Sequence, residues 1–431
     1  MSIWEENVNM PKFKPLEGNV KTDVLIIGGG IFGILCAYKL HQKGVNYILV
    51  EAENICNGTT KNTTAKITSQ HGLIYNKMVK RFGLEYAKMY LKANNEAIDK
   101  YKSLAKEIDC DFEEKSSFLY SVDNKTSLED EMGALIRMGY PAKFKGETEL
   151  PFFSVGAIEF EHQAQFNPLK FLAEISKNLN IYENTKINDY KDGKFVFEGG
   201  DITAENTIIA THFPFINKHG GYFLKLHQSR SHVVVLENAP NLNGMYMDQN
   251  EEGLSLRNYK DFLLFGGGSH RPGKCMDSVE KLKNLAKFYY PNSKIKLIQS
   301  AQDCMSLDSI PYIGRYSKKT KRLFTATGFN KWGMTSSMVA AEIITDMIME
   351  KDNEYAPIFT PSRSILRTDL FSNAFESILG LITPSARRCP HLGCALKWNK
   401  YEHSWDCPCH GSRFSDDGDN LENPANDKLF Y

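Results

Sequence analysis

Neither sign of charge dominates this chain. Its 52 basic and 52 acidic residues cancel over 431 positions, so no global field draws it to nucleic acid or to an anionic membrane. Long apolar runs are missing too. The uncharged stretch from Val24 to Tyr38 is shorter than the ~20 residues a bilayer span requires and is cut by glycines, so no transmembrane segment is expected. Internal repeats and low-complexity tracts are absent. The start, Met1-Ser-Ile-Trp-Glu-Glu, lacks the basic and apolar regions of a secretory signal, which predicts a cytoplasmic protein. A secreted disulfide framework is excluded as well. Cys36, Cys56, Cys110, Cys275 and Cys304 are scattered, and the other four cysteines crowd between Cys389 and Cys409, as in a metal site of a reducing compartment. What remains is an ordinary globular composition, 42% hydrophobic and 24% charged, long enough for two or three domains.

The most informative stretch runs from Asp23 to Glu51. An apolar strand, Asp23-Val-Leu-Ile-Ile27, leads into Gly28-Gly29-Gly30-Ile31-Phe32-Gly33, a helical run to Lys43, and a second strand, Tyr47-Ile-Leu-Val-Glu51. Strand, G-x-G-x-x-G, helix, strand and terminal acid form a dinucleotide-binding βαβ unit. Gly28 permits the tight turn, Gly30 lets the backbone approach a pyrophosphate, and Gly33 allows close helix–strand packing. The helix N-terminus offers N–H groups and partial positive charge to the phosphates. Glu51 stands where a carboxylate takes the adenosine ribose hydroxyls. The polar loop after it, with Gly58, Thr59 and Thr60, suits a phosphate wrap.

Further on, residues 76–107 read as amphipathic helices, Asp111–Val122 as a strand and Leu128–Met138 as a helix. Pro168 opens a helix to Lys177, Lys186–Phe197 reads as a hairpin, and 207–211 as an apolar strand. From Ser231 short strands recur at 232–236, 244–247, 254–257 and 262–265, as in an antiparallel sheet. Residues 323–328 form a strand before a helix from about Thr335 to Met349. Residues 1–22 read as an irregular lead-in. The reading is α/β (α+β): a discontinuous Rossmann-like nucleotide domain (about 20–75, 155–215 and 300–360) with a substrate domain grown from its loops (about 76–154 and 216–299).

Asp23–Ala65, Gln163-Ala-Gln-Phe-Asn-Pro168, Ala210-Thr211, Asp308-Ser-Ile-Pro-Tyr-Ile-Gly314 and Ala326-Thr-Gly-Phe-Asn-Lys-Trp-Gly-Met334 together resemble the D-amino-acid oxidase and glycine/sarcosine oxidase superfamily over roughly residues 20–363. The resemblance implies FAD, an antiparallel sheet covering the flavin, and oxidation of an amine or amino acid. By carry-over, Gly28, Gly30, Gly33 and Glu51 hold the ADP half and Gly58, Thr59 and Thr60 line the pyrophosphate. Gly314, Gly328, Gly333 and Met334 approach the ribityl chain and isoalloxazine. The family's carboxylate-clamping arginine is missing from Ser300-Ala-Gln-Asp-Cys-Met305, and Arg257 is a substitute candidate. Tyr246, His270 and Trp332 complete the pocket candidates. Asn62 falls where some relatives carry a flavin-linking histidine, and Cys304 lies off the position of a linking cysteine, so FAD is expected to be non-covalent.

A second signal lies in Cys389-Pro-His391-Leu-Gly-Cys394 and Cys407-Pro-Cys409-His410-Gly-Ser412. C-x-H and C-x-x-H separated by fifteen residues match the Rieske [2Fe–2S] pattern, with Cys389, His391, Cys407 and His410 as ligands. The rival is a Cys₂His₂ zinc site, but zinc motifs usually pair like ligands, and two cysteines would be left over. Resemblance to cytochrome-bc-type Rieske proteins makes Cys394 and Cys409 a candidate disulfide. It also gives Phe414 the place of a potential-raising tyrosine. The body is taken as 1–363, with 364–388 a linker and 389–431 a small all-β module that leans on the body. A two-electron flavin and a one-electron cluster then form a relay, from a small amine or amino acid to an acceptor protein or quinone-like acceptor. The alternative is an electron-transfer or redox-sensing protein that turns over no small amine.

Overall fold

The computed structural model describes residues 2–216, 220–364, 368–385 and 387–429. Its first layer is the nucleotide half. Strands Val20–Ile27, Tyr47–Val50, Ile181–Tyr182, Gly200–Ile209 and Leu323–Thr327 run parallel, with Tyr312–Arg315 antiparallel at one edge and the 189–197 hairpin against Gly200–Ile202. Both faces are covered at the centre of the sheet, and there the runs Val24–Ile27 and Tyr47–Val50 are continuously apolar rather than alternating. Val24 and Ile26 meet the layer holding helices Ile31–Gln42 and Gly333–Ile348, while Leu25 and Ile27 meet Ile209, Phe213 and Tyr312 on the other side.

The second layer is a nine-stranded sheet in the order Lys294–Ser306, Leu226–Glu237, Phe262–His270, Ser255–Tyr259, Gly244–Asp248, Glu113–Ser121, Gly156–Gln165 and Lys66–Ile67, with Lys143–Lys145 at the side. It is antiparallel apart from the pairing of Gly244–Asp248 with Glu113–Ser121. Val233, Val235 and Leu264 point to the nucleotide half. Val234, Leu236, Leu263 and Phe265 point away, under Leu282 and Ala286 of helix Ser278–Tyr289. Residues 156–165 and 294–306, which the sequence reading divided otherwise, belong to this sheet. The chain crosses back at Asn167, whose side chain caps the helix Pro168–Ser176 by accepting from Leu169 N and Lys170 N, a cap worth about 1 kcal/mol.

Two segments differ from their sequence reading. The lead-in is part of the core: Ile3 and Trp4 are fully buried, Ile3 N donates to Gln299 Oε1 (3.1 Å), and the Trp4 ring meets Tyr259 edge-on at 4.7 Å. The stretch read as a linker, 364–388, contains a helix, Thr368–Ile382. The C-terminal module is a four-stranded antiparallel sheet, Lys397–Asn399, Ser404–Asp406, Arg413–Phe414 and Asn420–Glu422. Among the described residues no helix is long and apolar enough to cross a membrane.

Candidate functional site

The three fingerprint glycines meet different constraints. A Cβ on Gly33 would stand 1.9 Å from the Gly28 carbonyl oxygen, and one on Gly28, at φ +114°, 2.5 Å from Ala210 O. Packing alone demands both. Gly30 precedes the Ile31–Gln42 helix with no side-chain cap, and a Cβ there would meet only Thr60 Oγ1, at 3.4 Å. That leaves the room a phosphate requires at a helix N-terminus. Thr60 Oγ1 accepts from Ile31 N (3.2 Å), which brings the 58–60 loop across the helix end. The Glu51 carboxylate accepts from Gly29 N (2.6 Å) and Glu53 N (3.1 Å) and so braces the glycine turn. Burial pushes its pKa above the usual carboxylate range, and those bonds oppose the rise.

Gly314 is a packing position against Pro361 and Met347. Gly328, by contrast, joins a polar knot: its carbonyl accepts from Asn330 Nδ2 (2.6 Å), and Asn330 Oδ1 accepts from Ser306 N (2.8 Å). Gly333 opens the long helix, whose first turn has no side-chain cap, and the Met334 carbonyl accepts from Tyr101 OH (3.0 Å). Trp332 stacks on His71 at 5.0 Å. Burial holds His71 neutral, its pKa near 3.

Beside this knot lies a cavity of about 530 Å³, bounded by the Ile74–Phe82 helix, residues 305–310 and Asn330, with His227 from strand Leu226–Glu237 and Glu251 and Arg271 from the turns beside the large sheet. His227 Nδ1 is buried there without a hydrogen-bond partner, and burial, then Arg271, lowers its pKa to about 4. None of the four pocket candidates lines it. Arg257 is fully buried, donates to Ala65 O (3.0 Å), and lies 5.2 Å over the Trp4 ring; its Nε and Nη2 have no partner. Tyr246 belongs to the layer facing away from the nucleotide half, stacked on Phe118 at 4.7 Å. His270 bonds Gly268 O (2.8 Å). Sequence reasoning missed His227, Glu251 and Lys66. Lys66 is a buried lysine whose pKa burial, then Arg257, lowers to about 7. None of the three falls on a strand that the sequence predicts, so nothing local signals where its side chain goes.

The two cysteine-rich loops share one construction. Cys389 N donates to Cys394 O and Gly393 N to Cys389 O; Cys407 N donates to Ser412 O and Gly411 N to Cys407 O, all at 2.8–3.0 Å. Gly393 (φ +80°) and Gly411 (φ +92°) turn the loops in the left-handed region that other residues avoid. The His391 and His410 rings stand 5.0 Å apart at 87°. Both are kept neutral, chiefly by burial, with pKa values near 3 and 4. His410 Nδ1 is buried without a hydrogen-bond partner, and the Cys407 thiol is held below its ordinary value by bonds from Cys389 and Cys409. Two thiols and two imidazoles make the split donor set that two irons need. Cys394, Cys407 and Cys409 also bring their sulfurs within 4.8 Å of one another, but that trio leaves both imidazoles unused. The expected Cys394–Cys409 bridge is not formed: both are free thiols, sharing with Cys407 one pocket closed by Gly380 of the Thr368–Ile382 helix.

One residue touches both regions. Gln302, fully buried, donates from Nε2 to Gly411 O (2.7 Å) in the second cysteine loop, while its own carbonyl accepts from Thr59 Oγ1 (3.1 Å).

Residues 23–347 match the family described as FAD dependent oxidoreductase, and residues 378–430 match the Rieske [2Fe-2S] domain. The Rieske 2Fe-2S iron-sulfur protein YhfW of Bacillus subtilis (strain 168) is 35% identical, covering 98% of this chain and 96% of its own length. Among solved structures, glycine oxidase from Geobacillus kaustophilus superposes with a TM-score of 0.67 at 18% identity, over 80% of this chain and 99% of that one. L-proline dehydrogenase from P. horikoshii does so with 0.67 at 16%, over 81% and 98%. At such identities these two likenesses speak for the fold.

Proposed function

Given that the chain belongs to the FAD dependent oxidoreductase family and ends in a Rieske [2Fe-2S] domain, we propose that it oxidises a C–N bond of a small amine or amino acid and sends the electrons out through the cluster. When bound, FAD accepts a hydride and the cluster accepts electrons one at a time. Gly28, Gly30, Gly33, Thr59 and Thr60 would hold the dinucleotide, with the Gly328–Met334 turn at its reactive end. Cys389, His391, Cys407 and His410 would hold the two irons. Gly30 leaves backbone room for the pyrophosphate, and Thr60 fixes the loop that closes over it. The cavity beside Asn330 would admit the substrate. His227, kept neutral by burial and by Arg271, offers its unpartnered Nδ1 as a hydrogen-bonding group to a neutral amine there. A reducing, cytoplasmic location fits the crowding of four cysteines between Cys389 and Cys409.

The observation that carries this reading is Gln302, bonded at once to the Thr59 loop and to the second cluster loop. Two substitutions test it. Cys407→Ser is expected to empty the cluster site. His410→Cys, if it keeps iron, lowers the potential. Both should leave flavin reduction by substrate at the wild-type rate and slow reoxidation by a one-electron acceptor about tenfold or more. Stopped-flow records of the two half-reactions decide the matter; wild-type reoxidation in both variants would remove the cluster from the route.

A further inference from the structure

The C-terminal module sits in its place without slack. Arg230, 6% exposed, grips Glu402 from Nε at 2.9 and 2.8 Å and again from Nη2. Glu402 in turn accepts from Arg413 (3.2 Å), which also bonds Asp406 (2.9 Å). A second fastening is Gln302 on Gly411. A third is Asn423, whose carbonyl accepts from Gln228 (2.7 Å) and whose amide donates to Thr211 O. Asn426, bonded to Ile187 O and Asn188 O at 3.3 and 3.2 Å, adds a fourth.

Between these fastenings the two imidazoles look inward. His391 meets the ring of Phe213 edge-on at 6.1 Å, and His410 meets Phe223 at 6.3 Å and is bonded by the Phe223 backbone. Phe213 is fully buried and follows strand Gly200–Ile209, which pairs with strand Val20–Ile27, the one leading into Gly28.

Resting on the reading that electrons leave through the cluster, we propose that the module keeps this seat throughout turnover and that its imidazole edge is the receiving side. Phe213 and Phe223 are then the positioning residues that wall it. A module that swung out to deliver electrons would have to break all four fastenings in each cycle. In the seated arrangement the two electrons of each substrate oxidation cross singly. With both groups bound, each crossing would take one electron from the reduced flavin and turn one ferric iron ferrous. A one-electron acceptor outside reoxidises that iron before the next, and the flavin proton goes to solvent.

The test uses the holoprotein, with the flavin reduced by a light flash and the cluster followed by its absorbance and EPR signal. Seated transfer is expected to be indifferent to sucrose viscosity; a rate that falls in proportion to viscosity overturns the proposal. Arg230→Met with Glu402→Gln loosens the seat without leaving a buried charge unpaired. It should slow the crossing about tenfold with flavin content and EPR signal unchanged, and an equal or faster crossing overturns the proposal. Phe213→Ala and Phe223→Ala should slow the crossing severalfold and shift the cluster midpoint potential, because water then reaches the imidazoles, while Leu at either position restores both. Ala variants with wild-type rate and potential would place the receiving side elsewhere. If flavin reduction never reduces the wild-type cluster, the electron route itself fails, whatever the variants do.

Discussion

At the scale of single residues, glycines that share a motif separate by what they face. Gly33 has no room for a methyl group, whereas Gly30 has room now and would lose it only to a ligand. Gly33→Ala is therefore expected to unfold the nucleotide half or cost more than about 3 kcal/mol. Gly30→Val should melt within a few degrees of wild type while its FAD content falls about tenfold or more. Melting curves alongside flavin absorbance separate the two outcomes; a flavin-replete Gly30→Val would move the pyrophosphate elsewhere. Covalent attachment is also a matter of single side chains. Asn62 spends its amide on Gly58 O (3.2 Å), and Cys304 is a buried thiol in an apolar layer, its pKa pushed far up by that burial. Denaturation is thus expected to release all the FAD into the supernatant, which fluorescence after precipitation measures.

The motif residues were legible in the sequence because each rests on local spacing. The pocket residues were not. Arg257 and Tyr246 look equivalent on predicted strands, yet one side chain enters the interior against Trp4 and the other joins the apolar layer on the opposite face. A one-residue change of register exchanges those fates, and register is set by distant partners.

At the scale of elements, the sequence shows strands where apolar residues alternate or run together and hides them where they do not. Lys294–Ser306 is the longest strand of the large sheet, and its sequence, Lys-Ile-Lys-Leu-Ile-Gln-Ser-Ala-Gln-Asp-Cys-Met-Ser, ends too polar to announce itself. Its polar residues serve single bonds to distant parts of the chain: Gln299 holds Ile3 N and Gln302 reaches Gly411 of the C-terminal module, while Cys304, between them and the strand end, joins an apolar layer. The helix Thr368–Ile382 was hidden for a similar reason, inside a stretch read as a connector. Its Gly380 explains why a helix belongs there: a Cβ would stand 2.2 Å from Cys409 Sγ and 3.4 Å from Cys394 Cβ, so the helix backbone lies directly on the cysteine loops. Gly380→Val is expected to expel the iron while FAD binding stays intact. Iron and flavin content of the purified variant provide the check, and a full iron complement would show that the helix can be lifted without harm.

At the scale of the whole molecule, the module and the oxidoreductase body hold together through charge as well as shape. Burial alone would raise the Glu402 carboxyl, but the Arg230 and Arg413 guanidiniums overcome it and hold its pKa at about 2. Because the folded value lies below the ordinary 4.5, this stabilisation is complete above pH 4.5 and is lost as pH falls toward 2. The shift corresponds to about 3 kcal/mol. Acid titration of wild type against the Arg230→Met, Glu402→Gln double variant, followed by tryptophan fluorescence, should show this limb in wild type alone. Identical acid limbs would mean that the pair contributes nothing to the seat.

The buried lead-in has a further consequence, for the order in which the molecule is made. Ile3 and Trp4 are synthesised long before their partners: Ile3 bonds Gln299, 296 positions later, and Trp4 packs on Tyr259. Their seat does not exist until the strand Lys294–Ser306 has left the ribosome. Contacts of such sequence separation form late. Ile3 and Trp4 therefore wait, exposed, while the residues between them and their partners are made, and the core that they help to close is closed late.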